Sequence, residues 1–273
     1  MSQTILITGA SSGIGKATAG LFAERGWNVV ATMRNPSDGT DLAARDNVVV
    51  TALDVLDTGS IQAAVAAATE RFGTIDVLVN NAGYGAYGPL EATPIETLRR
   101  QFDVNVFGLV ETMRAVLPAM RSQRSGVIIN ISSIGGRMAF PLGSLYHGSK
   151  WAVEGLSEAV HFELSMLGIR VKIVEPGGVN TDFAGRSFVF THDPELADYQ
   201  TLVDMATAAI ADAEQSGNQE PEDVAEVIFT AATDGTEQLR YVSGDGAREL
   251  LASRYSAEQD ERFVAAMRAQ YGL

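Results

Sequence analysis

The sequence predicts a single, doubly wound α/β domain with a mostly parallel sheet of about seven strands. Three observations carry that expectation. Short, β-branched apolar runs recur along the chain, several apolar at consecutive positions, which suits strands covered on both faces. Stretches with apolar residues at helical spacing lie between them. The 273 residues show no linker, internal repeat or low-complexity tract, so 1–273 is expected to form one domain rather than two.

The elements follow in order. Strands are expected at Thr4–Thr8, Trp27–Met33, Val48–Leu53, Ile75–Asn80, Val127–Ile131 and Val171–Val174, with a short one at Tyr241–Ser243. Ile14, Ala17, Leu21 and Phe22 recur at helical spacing after the first strand. Val153, Leu156, Val160 and Leu164 do the same later, and Leu167-Gly168 closes that helix. Pro94 is expected in a first helical turn after a Thr93 N-cap, and Pro221 opens a helix over Val224–Ala232.

Composition removes several function classes. Apolar content of 46% and charged content of 20% are globular values. Lys and Arg number 20 against 34 Asp and Glu, a net charge of −14, which argues against a nucleic-acid partner. The absence of Cys excludes a disulfide scaffold, thiol catalysis and Cys-ligated metal. His147, His161 and His192 lack ligand-like spacing, so no metal is expected. The N-terminus lacks a basic start and a long apolar run, and no stretch approaches the roughly 20 apolar residues of a membrane helix, so a cytoplasmic protein with no membrane partner is expected. The charge is uneven: residues 187–239 hold twelve acids and no Lys or Arg, leaving a net of −2 elsewhere. Those acids read either as a solvated helical face or as part of a flap over a site for an uncharged substrate.

Thr8-Gly9-Ala10-Ser11-Ser12-Gly13-Ile14-Gly15 joins the first strand to the first helix. Glycines there permit a tight turn and close backbone approach to a pyrophosphate, and the helix N-terminus offers N–H groups to phosphate. Gly9, Ser11, Ser12, Gly13, Ile14 and Gly15 are therefore the expected phosphate-side contacts of a dinucleotide. The second strand ends Ala31-Thr32-Met33-Arg34-Asn35, without the acid that would hold the 2′-hydroxyl of NAD. Arg34 suits a 2′-phosphate instead, so NADP is expected in preference to NAD; the alternative is a solvated Arg. Farther on, Tyr146 and Lys150 are four apart in a helical stretch, hence on one face. A neighbouring ammonium is expected to lower the phenol pKa and fit it for acid/base work.

With these motifs in order, the chain resembles the short-chain dehydrogenases/reductases over at least residues 4–182. The likeness rests on Thr8-Gly9 through Gly15, Asp54-Val55, Asn80-Asn81-Ala82-Gly83, Asn105, Ile131-Ser132-Ser133, Tyr146 with Lys150, and Pro176 through Thr181. It implies a Rossmann-type fold and a hydride-transferring oxidoreductase acting on a small carbonyl or alcohol. Tyr146 would be the proton donor or acceptor, Lys150 would lower its pKa and bind the nicotinamide ribose, Ser133 would hold the substrate oxygen, and Asn105 would hold a water of the proton relay. Ser132 would make structural bonds. Asp54 and Val55 would meet the adenine, and Asn81, Ala82 and Gly83 the adenosine side. Pro176, Gly177, Val179 and Thr181 would meet the nicotinamide end. The substrate pocket is expected beneath a flap at 183–217, lined by Tyr84, Arg137, Met138, Phe140, Phe183 and Phe188, an apolar set suited to a neutral, fairly hydrophobic substrate. Trp151–Gly155 is similar to the steroid- and retinol-oxidising branch. The resemblance also implies a homodimer or homotetramer. A non-catalytic NADP(H) sensor, or a lyase or epimerase on the same scaffold, are the rival readings.

Overall fold

The computed structural model describes residues 2–215 and 218–256, with 266 and 269. Strands among them are β1 (Thr4–Ile7), β2 (Asn28–Met33), β3 (Val48–Ala52), β4 (Val77–Asn80), β5 (Gly85–Tyr87), β6 (Gly126–Ile131), β7 (Ile169–Pro176), β8 (Phe188–Phe190) and β9 (Arg240–Ser243). The helices are α1 (Gly13–Glu24), α2 (Thr40–Ala43), α3 (Thr58–Phe72), α4 (Ile95–Phe102), α5 (Gly108–Gln123), α6 (Ser144–Ser165), α7 (Phe183–Arg186), α8 (Gln200–Gln215), α9 (Pro221–Thr233) and α10 (Asp245–Ser256).

Seven strands form one parallel sheet in the order β3-β2-β1-β4-β6-β7-β9. This is the doubly wound α/β arrangement that the alternating sequence pattern predicts. Its apolar runs are continuous because both faces are covered. Ile5 and Ile7 pack into one core with Ala19 and Phe22 of α1 and Ile228 of α9. Leu6 points into the other core, with Met113 and Val116 of α5 and Val153 and Leu164 of α6. Phe22, Trp27 and Phe229 lock the first face through ring contacts with centroids 5.0 to 6.4 Å apart.

The winding reverses between β1 and β4, so the connections at their carboxyl ends diverge and leave a crevice. Two loops line it at that point. The Asn81 amide donates to the carbonyls of Thr8 (2.9 Å) and Gly9 (3.1 Å), and the Ala82 N–H donates to the Thr8 hydroxyl (3.0 Å).

Some local expectations change. Pro94, with ψ 143°, is itself the N-cap of α4 rather than a first-turn residue, and the Thr93 hydroxyl donates to Pro89 O at 2.9 Å instead of capping. Pro94 lacks an N–H and fixes its φ near the value observed, −59°, so it closes the turn on its own. The acids of 187–239 are not simply a solvated face. Glu220 and Asp223 form a reciprocal capping box on α9, Glu226 pairs with Arg25, and Asp234 pairs with the buried Lys172 at 2.8 Å. The proposed flap comprises α7, β8 and α8, and its last two positions, 216 and 217, lie outside the described residues. A second, two-stranded sheet pairs β5 with β8 in parallel, Gly85 opposite Phe188 and Tyr87 opposite Phe190. Three-residue strands leave little periodicity in sequence, and this pair had no counterpart in the predicted elements. No helix among the described residues is long and apolar enough to cross a membrane.

Candidate active site

A cleft of about 1780 Å³ opens at the carboxyl ends of β1, β2, β4, β6 and β7. That exceeds the roughly 300–1,000 Å³ of a pocket for one small ligand and suits a dinucleotide with a second molecule beside it.

Its floor begins at the glycine-rich turn. Gly9 has φ +70°, and a Cβ there would lie 3.0 Å from Ala82 Cα, so glycine is required for the two loops to meet. Ser12 is the N-cap of α1, in extended conformation, and makes no side-chain cap hydrogen bond. Lys16 N–H is the donor to Ser12 O, so the N–H groups of Gly13, Ile14 and Gly15 precede the helix's own bonding. No acid lies in the first turn. Free N–H donors, the positive end of a helix dipole and no carboxylate make a donor set for phosphate. Gly15 itself does not reach the cleft wall. A Cβ on it would sit 2.3 Å from Gly9 O, so its missing side chain serves the packing of turn on helix.

Gly9, Ser11, Ser12, Gly13, Ile14, Arg34, Asp54, Val55, Asn81, Ala82, Gly83, Pro176, Gly177, Val179 and Thr181 all border the cleft. Arg34 is exposed at the end of β2 and has no acidic partner among the described residues. The Asp54 carboxylate accepts from Leu56 N–H at 3.0 Å, which fixes its direction. Asn80 lies outside the wall; it donates to Asn130 at 2.9 Å, and Asn130 donates to Ser157 at 2.8 Å, tying β4 to β6 and α6.

Tyr146, Lys150 and Ser133 meet farther along the cleft. α6 carries the first two on one face, and the turn after β6 supplies the third. Ser133 Oγ accepts from Gly135 N–H at 3.0 Å. Lys150 Nζ donates to Ile131 O at 2.9 Å and stands 5.8 Å from the Tyr146 ring centroid. Asn105 is a layer behind. It lies in a π-helical turn, Asp103–Phe107, between α4 and α5, accepts from Tyr84 N–H (3.0 Å), and donates to Tyr84 O (2.8 Å) and Ser149 Oγ (3.2 Å).

Electrostatics corrects one expectation. Burial pushes the Tyr146 phenol up, and its hydrogen bond with Ser133 only partly opposes this. Desolvation pushes Lys150 itself down to about 8, against an opposing pull from Glu154. His147 is buried; its Nε2 accepts from Phe140 N–H (3.1 Å), which leaves Nδ1 to donate to Gly135 O (3.0 Å). Burial lowers its pKa, so it is a neutral strut beneath Tyr146. Ser132 makes its structural bond through the backbone, its N–H donating to Val174 O at 2.8 Å, while its Oγ is buried with no hydrogen-bond partner among the described residues.

The pocket lining is partly revised. Tyr84, Phe140, Phe183 and Phe188 border the cleft. Arg137 and Met138 do not. The short turn at Ile134–Gly136 rotates them away from it. Arg137 turns back onto the buried Glu175 at 3.2 Å, and Met138, 1% exposed, packs with Ile134, Ala247 and Leu251. Sequence reasoning missed Tyr87. Its ring stacks on Tyr146 (5.5 Å, 29°) and leans on Phe188 (5.1 Å), while Phe183 meets Tyr146 edge-on at 6.3 Å. The signal was available in Gly83-Tyr84-Gly85-Ala86-Tyr87-Gly88, where a second aromatic follows Tyr84 at strand spacing plus one.

The family profile described as short chain dehydrogenase matches residues 3–189. An uncharacterised oxidoreductase of Schizosaccharomyces pombe is 44% identical over 88% of this chain and all of the relative. A 3-ketodihydrosphingosine reductase of Bacteroides thetaiotaomicron is 36% identical over 99% of this chain and 98% of its own. Among solved structures, a short-chain dehydrogenase from Streptomyces avermitilis superposes with a TM-score of 0.83 at 33% identity, covering 100% of this chain and 97% of that one. ElxO with NADP bound gives a TM-score of 0.75 at 26% identity (91% and 100% covered), and a Burkholderia phymatum enzyme in complex with NAD gives 0.79 at 26% (93% of each).

Proposed function

Because the chain belongs to the short-chain dehydrogenase family, we propose that it is an NADP(H)-dependent oxidoreductase interconverting a carbonyl and an alcohol on a neutral, fairly hydrophobic substrate. The observation that carries this reading is the convergence of Ser133, Tyr146 and Lys150 in one cleft with a phosphate-suited helix N-terminus. In this reading 1–273 acts as one Rossmann-type unit, with 183–217 as the cover of its substrate end.

A bound nicotinamide supplies or takes up the hydride. The chain's own residues do the rest. Gly9, Ser11, Ser12, Gly13 and Ile14 hold phosphate through backbone and hydroxyl groups, with Gly15 making the close packing possible. Arg34 meets the 2′-phosphate, which supports NADP over NAD, although solved relatives hold either. Asp54, Val55, Asn81, Ala82 and Gly83 bound the adenosine, and Pro176, Gly177, Val179 and Thr181 the far end. Ser133 and Tyr146 donate hydrogen bonds to the substrate oxygen as charge builds on it, and Tyr146 Oη passes the proton. A phenol kept protonated by burial suits the direction of carbonyl reduction near neutrality. Lys150 holds positive charge beside it, and Asn105 orders the backbone at Tyr84. The walls formed by Tyr84, Tyr87, Phe140, Phe183 and Phe188 exclude water and favour an apolar substrate body; the Bacteroides relative, by name a 3-ketodihydrosphingosine reductase, supports that polarity.

Trp151 and Phe162 of α6, Phe107 just before α5 and Met166 just after α6 are exposed, at 47% to 80%, and support a homodimer or homotetramer through that face. The test of function is a turnover screen of aldehydes, ketones, steroids and sugars with NADPH and with NADH, followed at the reduced-cofactor absorbance. Turnover with an apolar carbonyl is expected. Tight NADPH binding with no redox turnover across the panel would support a sensor instead.

A further inference from the structure

Behind the Tyr146–Lys150 face, α6 carries a third charged residue in the same stripe. Glu154 is four residues beyond Lys150, thus one turn along on one side of the helix. It is buried, 5% exposed. Its Oε2 accepts from Arg240 Nε of β9 at 2.9 Å, while Oε1 is buried with no partner among the described residues. The same Arg240 reaches Glu158 of α6 (2.5 Å) and Glu175 of β7 (3.4 Å), and Arg137 closes on Glu175 from the turn after β6. Gly136 makes the approach possible: a Cβ there would lie 2.9 Å from Glu154 Cγ and 3.1 Å from Lys150 O. From β5, Tyr87 faces the Tyr146 end of the stripe, and the π-helical turn faces it with the uncharged Asn105.

We propose that Glu154 is a positioning residue for the reaction: anchored by Arg240, its carboxylate keeps the buried Lys150 in the ammonium form. This rests on the reading of Lys150 as the cation beside the proton donor. The need for such a residue is physical. Lys150 Nζ is buried with one carbonyl as its hydrogen-bond acceptor, Ile131 O, and desolvation favours the neutral amine. A fixed negative charge one turn away opposes that. Arg240 has to be shared between Glu154 and Glu175, and Glu175 is the carboxyl that yields: burial first, then the Glu154 charge, pushes it up to about 7. A proton on Glu175 leaves the Arg240 guanidinium to Glu154 and Glu158.

The three lysines make a direct test feasible. In protein carrying 13C-lysine, the three Cε resonances are followed against pH, with Lys150 assigned by Lys150→Arg. The parent is expected to titrate near 8 at Lys150. Glu154→Gln retains the volume and the acceptor for Arg240, and should lower that midpoint by about one pH unit, roughly tenfold in proton affinity. Glu154→Asp keeps the charge and should return the midpoint toward the parent. The upper pH limb of kcat/KM should move with the resonance. An unmoved midpoint in Glu154→Gln, or equal shifts in the Gln and Asp variants, overturns the proposal by showing that Glu154 only packs. Absence of turnover in the parent with the resonance shift intact supports the Glu154–Lys150 coupling and counts against the hydride-transfer reading alone.

Discussion

The two ends of the cleft are built by different means. The dinucleotide end is made of backbone: a turn with free N–H groups, glycines that let two loops touch, and strand ends fixed by the sheet. The end proposed for substrate is made of side chains, with Tyr87, Tyr146, Phe183 and Phe188 leaning on one another where β5 pairs with β8. Backbone sites constrain sequence tightly, because a single Cβ is fatal to them. An aromatic wall tolerates exchange, because ring stacking contributes only about 0.5–1.5 kcal/mol per pair beyond burial. The difference explains why a cofactor class is readable from this chain while a single substrate is not.

Substitutions at the two ends can break or sharpen that contrast. The largest effect belongs to the point where they meet. Tyr146→Phe should reduce kcat by about 10²–10⁴ with cofactor affinity close to the parent's, as expected for loss of a proton-transfer group. A kcat near the parent's would remove Tyr146 from the mechanism. Next is the dinucleotide end: Arg34→Ala should weaken NADPH by about 10- to 100-fold, the value of a charge-assisted contact, and leave NADH almost unchanged. Fluorescence titration with both cofactors decides it, and equal losses would refute a 2′-phosphate contact.

A third effect lies beneath the site. Glu175 titrates near 7 in the fold against 4.5 when free, so between those values the folded protein binds the extra proton. Stability from this group is complete below about 4.5 and is lost as pH rises through about 7. Glu175→Gln, which mimics the protonated form, should therefore gain on the parent by about 3 kcal/mol as pH rises across that window. Urea midpoints at both limits read it, and parallel pH curves for the two proteins would show that Glu175 does not titrate there. The smallest effect is at the substrate end. Tyr87→Ala removes one stacked ring and should raise KM for an apolar substrate several-fold, about 1 kcal/mol, with little change in kcat for a small one. A large kcat loss for all substrates would mean that Tyr87 fixes Tyr146 rather than the substrate.

Much of the fold was legible because burial on both faces writes long apolar runs into β1, β4 and β6. The glycine-rich turn and the Tyr146–Lys150 spacing were legible for a similar reason: local geometry dictates residue type. What was hidden depends on direction rather than identity. Arg137 and Met138 sit within five residues of Ser133, yet one short turn at Ile134–Gly136 sends them to an ion pair and a core. The upward shift of Tyr146 was invisible because burial, not the neighbouring lysine, dominates it. Tyr87 was missed because its partner strand lies a hundred residues away along the chain.

The β5–β8 pair is held by main-chain bonds, Gly85 N–H to Ser187 O and Thr191 N–H to Tyr87 O, each 2.8 Å. Main-chain pairing is indifferent to the side chains it carries. The cover is thus fastened by one set of atoms and shaped by another, so its inner face is free to be rewritten without loosening its attachment. Under the proposed function, exchanging residues 188–190 should redirect substrate choice while Ser133, Tyr146 and Lys150 stay as they are.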